Sequence, residues 1–167
     1  NQAMSHAVHP LVSIIGGAKI SSKIELIHRL IELSDSVIIG GALANTFLMA
    51  EGIDVGQSLV EKDQIEAAKQ ILYQAAKTTT QIILPLDVRV GQLDKPKAGN
   101  RICDLDQIKQ YEQILDVGPA SIGKISATLS TAKTVIWNGP IGYFEIDDYR
   151  LGTDCIYYTI AHSQDLT

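Results

Sequence analysis

The feature that most constrains the fold is a strand-like apolar run that ends in two glycines and leads into a helical pattern. It occurs first at residues 11–23, with the sequence LVSIIGGAKISSK, and again at 37–51, where VII precedes GG. Short runs rich in β-branched residues, bounded by turn signals, are typical of strands buried in a parallel sheet. A strand followed by a helix and then a second strand predicts a βαβ crossover.

The rest of the chain continues this alternation of strands and helices. Apolar runs predict further strands at 81–84, 87–90, 114–117 and 134–137. Helical spacing of apolar residues predicts helices at 24–31, 42–51 and 61–77, after Pro119, and after a capping Thr153. Residues 91–101 are predicted to be a mobile surface loop whose basic run is solvated. The pattern predicts an α/β fold, a three-layer α/β/α arrangement around a parallel, Rossmann-like sheet.

Two lysines flank the predicted start of the first helix. Ser22 and Glu25 have the spacing of a capping box, which predicts a helix beginning near Ser21 or Ser22. Lys19 then lies in the turn, and Lys23 lies in the first helical turn. A cation at a helix N-terminus is unfavourable unless an anion offsets it, so the pair indicates a phosphate site.

Glycine recurs at four predicted strand ends, namely Gly16-Gly17, Gly40-Gly41, Gly118 and residues 139–142. Ligands of parallel α/β sheets bind outside the carboxyl ends of the strands, so this edge is the predicted binding site. The sequence contains neither G-x-x-x-x-G-K-[ST] nor G-x-G-x-x-G, which disfavours a Walker-type ATPase and a Rossmann oxidoreductase.

Composition and the reactive side chains exclude several classes of function. The 14 Lys and Arg residues against 19 Asp and Glu residues give a net charge of −5, which argues against nucleic-acid or membrane-surface binding. Cys103 and Cys155 form neither a C-x-x-C motif nor a metal-ligand spacing, and they are expected to be reduced, as in a cytoplasmic protein. No metal or Ser-His-Asp set is predicted, because the histidines stand apart at positions 6, 9, 28 and 162.

Several segments together resemble phosphoglycerate kinases. They are GGAKISSK at 16–23, IGGALANTF at 39–47, GQSLVE at 56–61, LPLD at 84–87, ILDVGP at 114–119 and WNGPIGYFE at 137–145. The resemblance runs in family order from about Pro10 to Ser163 and covers most of the C-terminal, nucleotide-binding domain. Residues 10–167 are therefore expected to be part of that domain, and residues 1–9 an N-terminal segment or a cloning remnant.

The resemblance implies glycolytic phosphoryl transfer between 1,3-bisphosphoglycerate and Mg-ADP, with ATP or ADP as the nucleotide and Mg²⁺ carried by it. It implies that Lys19 steadies the transferring phosphoryl group and that Lys23 holds the nucleotide phosphates. Asn138 would contact phosphate, and Glu145 would bind ribose. Further positions would line the adenine pocket or approach the nucleotide: Gly17, Ala18, Gly40, Gly41 and Gly118.

Departures from the family pattern qualify these expectations. Ala42 stands where a third glycine is usual, and Tyr143 where a smaller aliphatic residue is common. The sequence also ends before the last strands and the G-G-G-[DS] loop, and the N-terminal phosphoglycerate domain is absent from it. The chain is thus expected to be inactive alone and to self-associate through an unpaired sheet edge. The alternative is a stand-alone adenine-nucleotide-binding or anion-binding module.

Overall fold

The computed structural model describes residues 7–94 and 99–163, which form seven strands and five α-helices. The strands are Leu11–Ile15 (β1), Ser36–Ile39 (β2), Gln81–Ile83 (β3), Asp87–Gly91 (β4), Arg101–Asp104 (β5), Gln113–Val117 (β6) and Thr134–Asn138 (β7). The α-helices are Ile24–Leu33 (α1), Gly41–Ala50 (α2), Ile65–Ala75 (α3), Pro119–Ser130 (α4) and Leu151–Ala161 (α5). Short 3-10 segments lie at Lys62–Gln64, Leu105–Gln107 and Asp147–Tyr149.

Four strands form a parallel sheet in the order β3-β2-β1-β7. All five residues of β1 are buried, and side chains alternate between the two faces of a strand. Ile15 accordingly packs with α1, α2 and α3, whereas Val12 and Ile14 pack with α4 and α5. Helices cover both faces of the sheet, so the prediction of a three-layer α/β/α fold is confirmed.

The strands of this sheet end level with one another. Ile15 at the end of β1 pairs with Ile39 on one side and with Asn138 on the other. The glycine segments that follow β1, β2 and β7 therefore emerge side by side at one edge of the sheet.

A second sheet of three antiparallel strands, in the order β5-β4-β6, was not predicted. The expectation that β4 and β6 belong to the parallel sheet was wrong, because an apolar run marks a strand but does not specify its pairing direction. The start of β5 at Arg101 also differs from the predicted loop, since Cys103 is buried against Val88 and Val90. Lys95 and Lys97, the predicted solvated basic run, lie outside the described residues.

Two predicted helix caps were wrong. Helix α1 begins at Ile24, and the Ser22 hydroxyl donates to the Lys19 carbonyl at 3.2 Å instead of capping the helix. Thr153 lies inside α5, where its hydroxyl oxygen accepts a hydrogen bond from the Ile141 N–H at 3.2 Å. Both hydroxyls stabilise adjacent turns, a use that sequence spacing does not distinguish from capping.

None of the helices in residues 7–94 and 99–163 is long and apolar enough to cross a bilayer. The same residues contain no group of three or more His, Cys, Asp or Glu side chains placed to hold a metal ion.

Candidate functional site

Three glycine-containing loops meet at the carboxyl ends of β1, β2 and β7. The Gly16 N–H donates to the Asn138 carbonyl at 2.9 Å, and the Gly40 N–H donates to the Ile15 carbonyl at 2.9 Å. The Gly41 N–H, at the start of α2, donates to the Ile141 carbonyl at 3.0 Å. These backbone bonds fix the loops against one another, so the edge is a preformed surface.

Gly41 is the position where this arrangement most requires glycine. Its φ is +67°, in the left-handed region that side chains disfavour. A Cβ atom added there would also lie 2.7 Å from the Gly17 carbonyl oxygen, which is closer than real contacts allow. The missing side chain lets the turn after β1 pack directly on the N-terminus of α2.

Lys23 places a half-buried ammonium group beneath these loops. Its Nζ donates to the Gly16 carbonyl at 2.5 Å and to Oδ1 of Asn138 at 2.9 Å. Both acceptors are neutral, and Lys23 forms no ion pair within the described residues. Burial lowers the pKa of the Lys23 ammonium. A cation held by two dipoles, with its charge not offset by a carboxylate, is suited to bind an anion.

Lys19 lies on the same turn with its side chain exposed. No hydrogen bond or ion pair of its ammonium group occurs among the residues that the structure describes. The turn itself is anchored by Glu61, whose carboxylate accepts hydrogen bonds from the Ser21 N–H at 3.1 Å and the Ser21 hydroxyl at 2.5 Å. Glu61 in turn donates its N–H to the Thr46 hydroxyl at 3.2 Å. The contact between Ser21 and Glu61 was not predicted from the sequence.

A cleft of about 270 Å³ opens beside the glycine loops. Its lining is mostly apolar and comes from β6, from α2 and the loop after it, and from the loops after β1, β3, β4 and β7. The lining residues are Gly17, Ala18, Gly41, Ala42, Ala44, Asn45, Leu59, Pro85, Leu93, residues 113–117, residues 140–143 and Glu145. Such a cleft can enclose a flat apolar group next to the Lys23 ammonium group.

The structure brings most of the predicted site residues together. Four of them line the cleft: Gly17, Ala18, Gly41 and Glu145. Lys23 and Asn138 adjoin it through Gly17, since a Cβ atom on Gly17 would lie 3.1 Å from the Lys23 ammonium nitrogen. Ala42 and Tyr143, the two departures from the family pattern, also lie in the lining, and the Tyr143 side chain is partly exposed.

Gly40 and Gly118 lie outside the lining of the cleft. Gly40 packs against Ile141, and a Cβ atom on Gly118 would collide with the Asp87 carboxylate. That carboxylate accepts hydrogen bonds from the Ala120 N–H at 3.0 Å and the Ser121 N–H at 2.8 Å. Asp87 thereby caps α4, and Gly118 provides the space for it.

Asp116 is a buried carboxylate in the cleft lining that the sequence did not single out. It is 1% exposed and accepts hydrogen bonds from the Gly152 N–H at 3.0 Å and the Val117 N–H at 2.9 Å. Burial raises the pKa of Asp116 to about 6, although these two N–H groups oppose the shift. Asp116 therefore ties β6 to the start of α5 with a carboxyl group that titrates just below neutral pH.

The cleft also includes residues that sequence reasoning missed, among them Asn45, Leu59, Leu93, Ile114 and Leu115. Leu59, Ile114 and Leu115 fall inside the segments GQSLVE and ILDVGP, so those motifs contained a signal. Asn45 likewise falls inside IGGALANTF at 39–47, whereas Leu93 lies outside the quoted segments and reaches the cleft through tertiary packing.

The family model for phosphoglycerate kinase matches the chain over residues 1–167. The chain belongs to the phosphoglycerate kinase family. Among curated members of the family, a phosphoglycerate kinase from Chloroflexus aurantiacus is 40% identical over 161 residues, and one from Agrobacterium fabrum is 45% identical over 152 residues. These alignments cover 96% and 91% of this chain.

The structural comparison agrees with the sequence comparison. The structure of phosphoglycerate kinase from Coxiella burnetii superposes with a TM-score of 0.94 at 37% identity, covering 98% of this chain and 42% of that chain. The chain spans only 40% and 38% of the lengths of the Chloroflexus aurantiacus and Agrobacterium fabrum phosphoglycerate kinases.

Proposed function

We propose that this phosphoglycerate kinase family chain supplies the nucleotide-binding side of phosphoryl transfer between 1,3-bisphosphoglycerate and Mg-ADP. The observation that carries the proposal is Lys23, a half-buried cation held only by neutral acceptors and adjoining an apolar cleft. A nucleotide has the matching parts, since its base is flat and its phosphates are anionic. The family name of its relatives supports the reaction class.

The polar site residues and Gly118 each have a role in this proposal. Lys23 binds the nucleotide phosphates while Asn138 orients its ammonium group. Lys19, exposed on the same turn, reaches the phosphoryl group in transfer, where charge stabilisation and positioning supply most of the catalysis. Glu145 hydrogen-bonds the ribose hydroxyls at the open side of the cleft. Gly118 acts indirectly, by admitting the Asp87 cap at α4.

Mg²⁺ is proposed to arrive bound to the nucleotide phosphates. Lysine ammonium groups donate to phosphate oxygens and cannot ligate a metal, and the two oxygens nearest Lys23, the Gly16 carbonyl and Asn138 Oδ1, already accept from its Nζ. The metal neutralises phosphate charge when it is bound, while Lys23 and Lys19 supply the fixed positive charge of the protein.

We expect the chain alone not to turn over 3-phosphoglycerate and ATP. Among the described residues, the cleft lining contains no Lys or Arg, and the adjoining turn at residues 16–23 supplies only Lys19 and Lys23. Both are assigned to the nucleotide side, which leaves the second anionic substrate without a cationic site in this region. Loss of orientation of one of two reactants forfeits roughly 7 to 11 kcal/mol of barrier reduction.

The decisive measurement is calorimetric titration of Mg-ADP into the chain, with Lys23→Met as the test variant. Lys124→Met, an exposed lysine on α4, is the matched control. Binding that is weakened at least tenfold by Lys23→Met, and unchanged by Lys124→Met, supports the nucleotide site. Equal binding by all three proteins would place the nucleotide elsewhere.

A stand-alone adenine-nucleotide-binding module is the second candidate. It is favoured by the fact that described residues of this chain form both the cleft and the Lys23 site. A coupled assay with 3-phosphoglycerate and ATP, with Lys19→Ala as the control for contaminating kinase, separates the two candidates when it is run on the chain joined to its encoded flanking sequence. Lys19-dependent turnover there supports the kinase, and its absence supports the binding module.

Two further properties belong to the same proposal. β7 pairs with β1 alone among the described strands, and four of its five residues are only partly buried, so its open edge can pair with a second copy. Sedimentation at rising protein concentration tests this self-association, and a monomer at every concentration would contradict it.

We also propose a cytoplasmic location. Cys103 and Cys155 are free thiols, as is usual for cytoplasmic proteins, and fractionation of cells tests that location.

A further inference from the structure

Residues 16–23, here called the lysine turn, are connected to α2 by Glu61. Its Oε1 accepts a hydrogen bond from the Ser21 hydroxyl at 2.5 Å, and its Oε2 accepts one from the Ser21 N–H at 3.1 Å. The Glu61 N–H donates to the hydroxyl of Thr46, a fully buried residue of α2, at 3.2 Å. The side chain of Glu61 therefore holds the lysine turn, and its main chain holds α2.

Helix α2 also fixes the start of the lysine turn. The Leu43 N–H donates to the Gly17 carbonyl at 2.9 Å. Between Gly17 and Ser21, the Ile20 side chain is fully buried in the apolar cluster that includes residues of α1, α2 and α3. Lys19 therefore lies on a segment whose backbone is fixed on both sides before any ligand arrives.

The Glu61 carboxylate restrains the turn without pairing with either of its lysines. Among the residues that the structure describes, no ion pair includes Glu61, Lys19 or Lys23. A carboxylate paired with a lysine would offset its charge and would compete with an incoming phosphate. Because Glu61 accepts from Ser21 instead, the positive charges of the turn are not neutralised.

We propose that Glu61 is a positioning residue for phosphate binding, which acts through Ser21 on the backbone that carries Lys19 and Lys23. This inference rests on the proposed function, because it requires nucleotide phosphates at the lysine turn. A group that is fixed before binding loses less conformational entropy when it meets its ligand, so it binds the ligand more tightly than a mobile group does. Without Glu61, the ligand itself would have to order the turn.

The test compares Mg-ADP with adenosine, which lacks the phosphates. Calorimetry measures the affinity for Mg-ADP, and NMR titration measures the weaker affinity for adenosine. Glu61→Ala is expected to weaken Mg-ADP binding about threefold to tenfold, the range for loss of one hydrogen bond, and to leave adenosine binding within about twofold of wild type. A general loss of packing would weaken both ligands alike.

Glu61→Gln separates positioning from charge. A glutamine keeps an acceptor for the Ser21 N–H and brings an amide donor for the Ser21 hydroxyl oxygen. It is expected to bind Mg-ADP at least as tightly as wild type. Tighter binding by both Glu61→Gln and Glu61→Ala would show an effect of charge alone and would overturn the inference. Glu51→Gln, which removes an exposed carboxylate at the end of α2, is the control for net charge.

Ser21→Ala removes the hydroxyl side of the same contact. It is expected to weaken Mg-ADP binding by less than Glu61→Ala does, because the Ser21 N–H remains. The double variant should bind Mg-ADP no more weakly than Glu61→Ala, since the two residues act through one contact. Additive losses would contradict this route. If Glu61→Ala does not fold, the ratio of Mg-ADP to adenosine affinity in Ser21→Ala decides the question.

The outcomes separate this inference from the proposed function. If Lys23→Met weakens Mg-ADP binding and Glu61→Ala does not, the nucleotide site stands and the role of Glu61 is refuted. If Glu61→Ala weakens adenosine as much as Mg-ADP, Glu61 supports the fold alone and the inference is overturned. If the wild-type chain binds Mg-ADP no more tightly than adenosine, the lysine turn is not a phosphate site, and both the proposed function and this inference fail.

Discussion

The Glu112 carboxylate accepts one hydrogen bond at each oxygen from the Arg101 guanidinium, and both distances are 2.8 Å. Glu112 is 3% exposed, and its second oxygen also accepts from the Lys109 N–H at 2.9 Å. The Glu112 carbonyl accepts the Gln57 N–H at 2.8 Å. The pair therefore holds together β5, the approach to β6, and the loop that carries Leu59 to the cleft.

Replacing Glu112 by Gln should destabilise the chain by about 2 kcal/mol, because it leaves a partly buried guanidinium without its anionic partner. Urea unfolding measures the change. Glu66→Gln, at the exposed pair with Lys69, is the control and should cost less than about 0.5 kcal/mol. A cost for Glu112→Gln no larger than that of the control would contradict the structural role of the pair.

The same residue predicts part of the acid dependence of stability. Hydrogen bonding to Arg101 lowers the pKa of Glu112 below its ordinary value of 4.5. Its stabilising contribution is therefore fully present above about pH 4.5 and is lost as the pH falls through the lower, folded pKa. Wild type should lose this contribution in acid, and Glu112→Gln should lack that component of the curve.

Asp116 predicts the opposite dependence. Burial raises the pKa of Asp116 from 3.8 to about 6, so between those values the folded state binds the proton more tightly than the unfolded state. Stability from this group falls as the pH rises, by about 2 kcal/mol between pH 4.5 and pH 7. Unfolding of wild type and Asp116→Asn at both pH values measures it. An identical pH dependence in the two proteins would refute the raised pKa.

Gly118 and Asp87 should behave as one coupled unit. Gly118→Ala is expected to cost about 2 kcal/mol by collision with the Asp87 carboxylate, and Asp87→Ala a similar amount by loss of the α4 cap. The double variant should cost clearly less than the sum, because the collision requires the carboxylate. Unfolding of all four proteins gives the coupling, and strict additivity would contradict it.

The nucleotide affinity of Gly118→Ala provides a separate readout. A Cβ atom on Gly118 would point toward Asp87, and Gly118 lies outside the cleft lining. The ADP affinity of the folded variant should therefore match that of wild type. A loss of ADP affinity without a loss of stability would instead indicate that Gly118 contacts the nucleotide directly.

Lys23 should contribute more to nucleotide affinity than Lys19. Lys23 is held in place by Gly16 and Asn138 before any ligand arrives, whereas Lys19 is exposed and is proposed to act on the phosphoryl group in transfer. A contact made in the ground state appears in affinity, and one made in the transition state appears in rate. Titration of ADP into Lys23→Ala and Lys19→Ala should show the larger loss for Lys23→Ala, and equal losses would contradict these roles.

The parallel core was predictable because its signal is local. The apolar runs before Gly16 and Gly40 had the composition of buried strands, and the intervening apolar spacing was helical. The direction of β4 and β6 was not predictable, since it follows from long-range pairing that a short apolar run does not encode. The caps at Ser22 and Thr153 failed for a related reason, because a hydroxyl has several possible partners and spacing identifies only one of them.

Some residues of the candidate site were predictable from the sequence, and others were not. The predictable residues are Lys23, Asn138 and the glycines that follow the strands. Each lies in or next to the loop after a parallel strand, and the ends of neighbouring parallel strands lie at the same edge of the sheet. Asn45 and Glu61 lie on elements whose distance from the site depends on how α2 and the following loop pack. The sequence shows that these side chains are polar, but it does not show that they lie close to the candidate site.

The contact between Lys23 and Asn138 joins residues 115 positions apart in the chain. Closing a loop of that length costs entropy, and contacts of long sequence separation are among the slowest to form. The Lys23–Asn138 contact, which is proposed to bind phosphate, therefore forms only after β7 has docked beside β1. A ligand that binds there stabilises only chains in which β7 is paired with β1. The time at which nucleotide binding appears during refolding therefore reports when β7 docks on the parallel sheet.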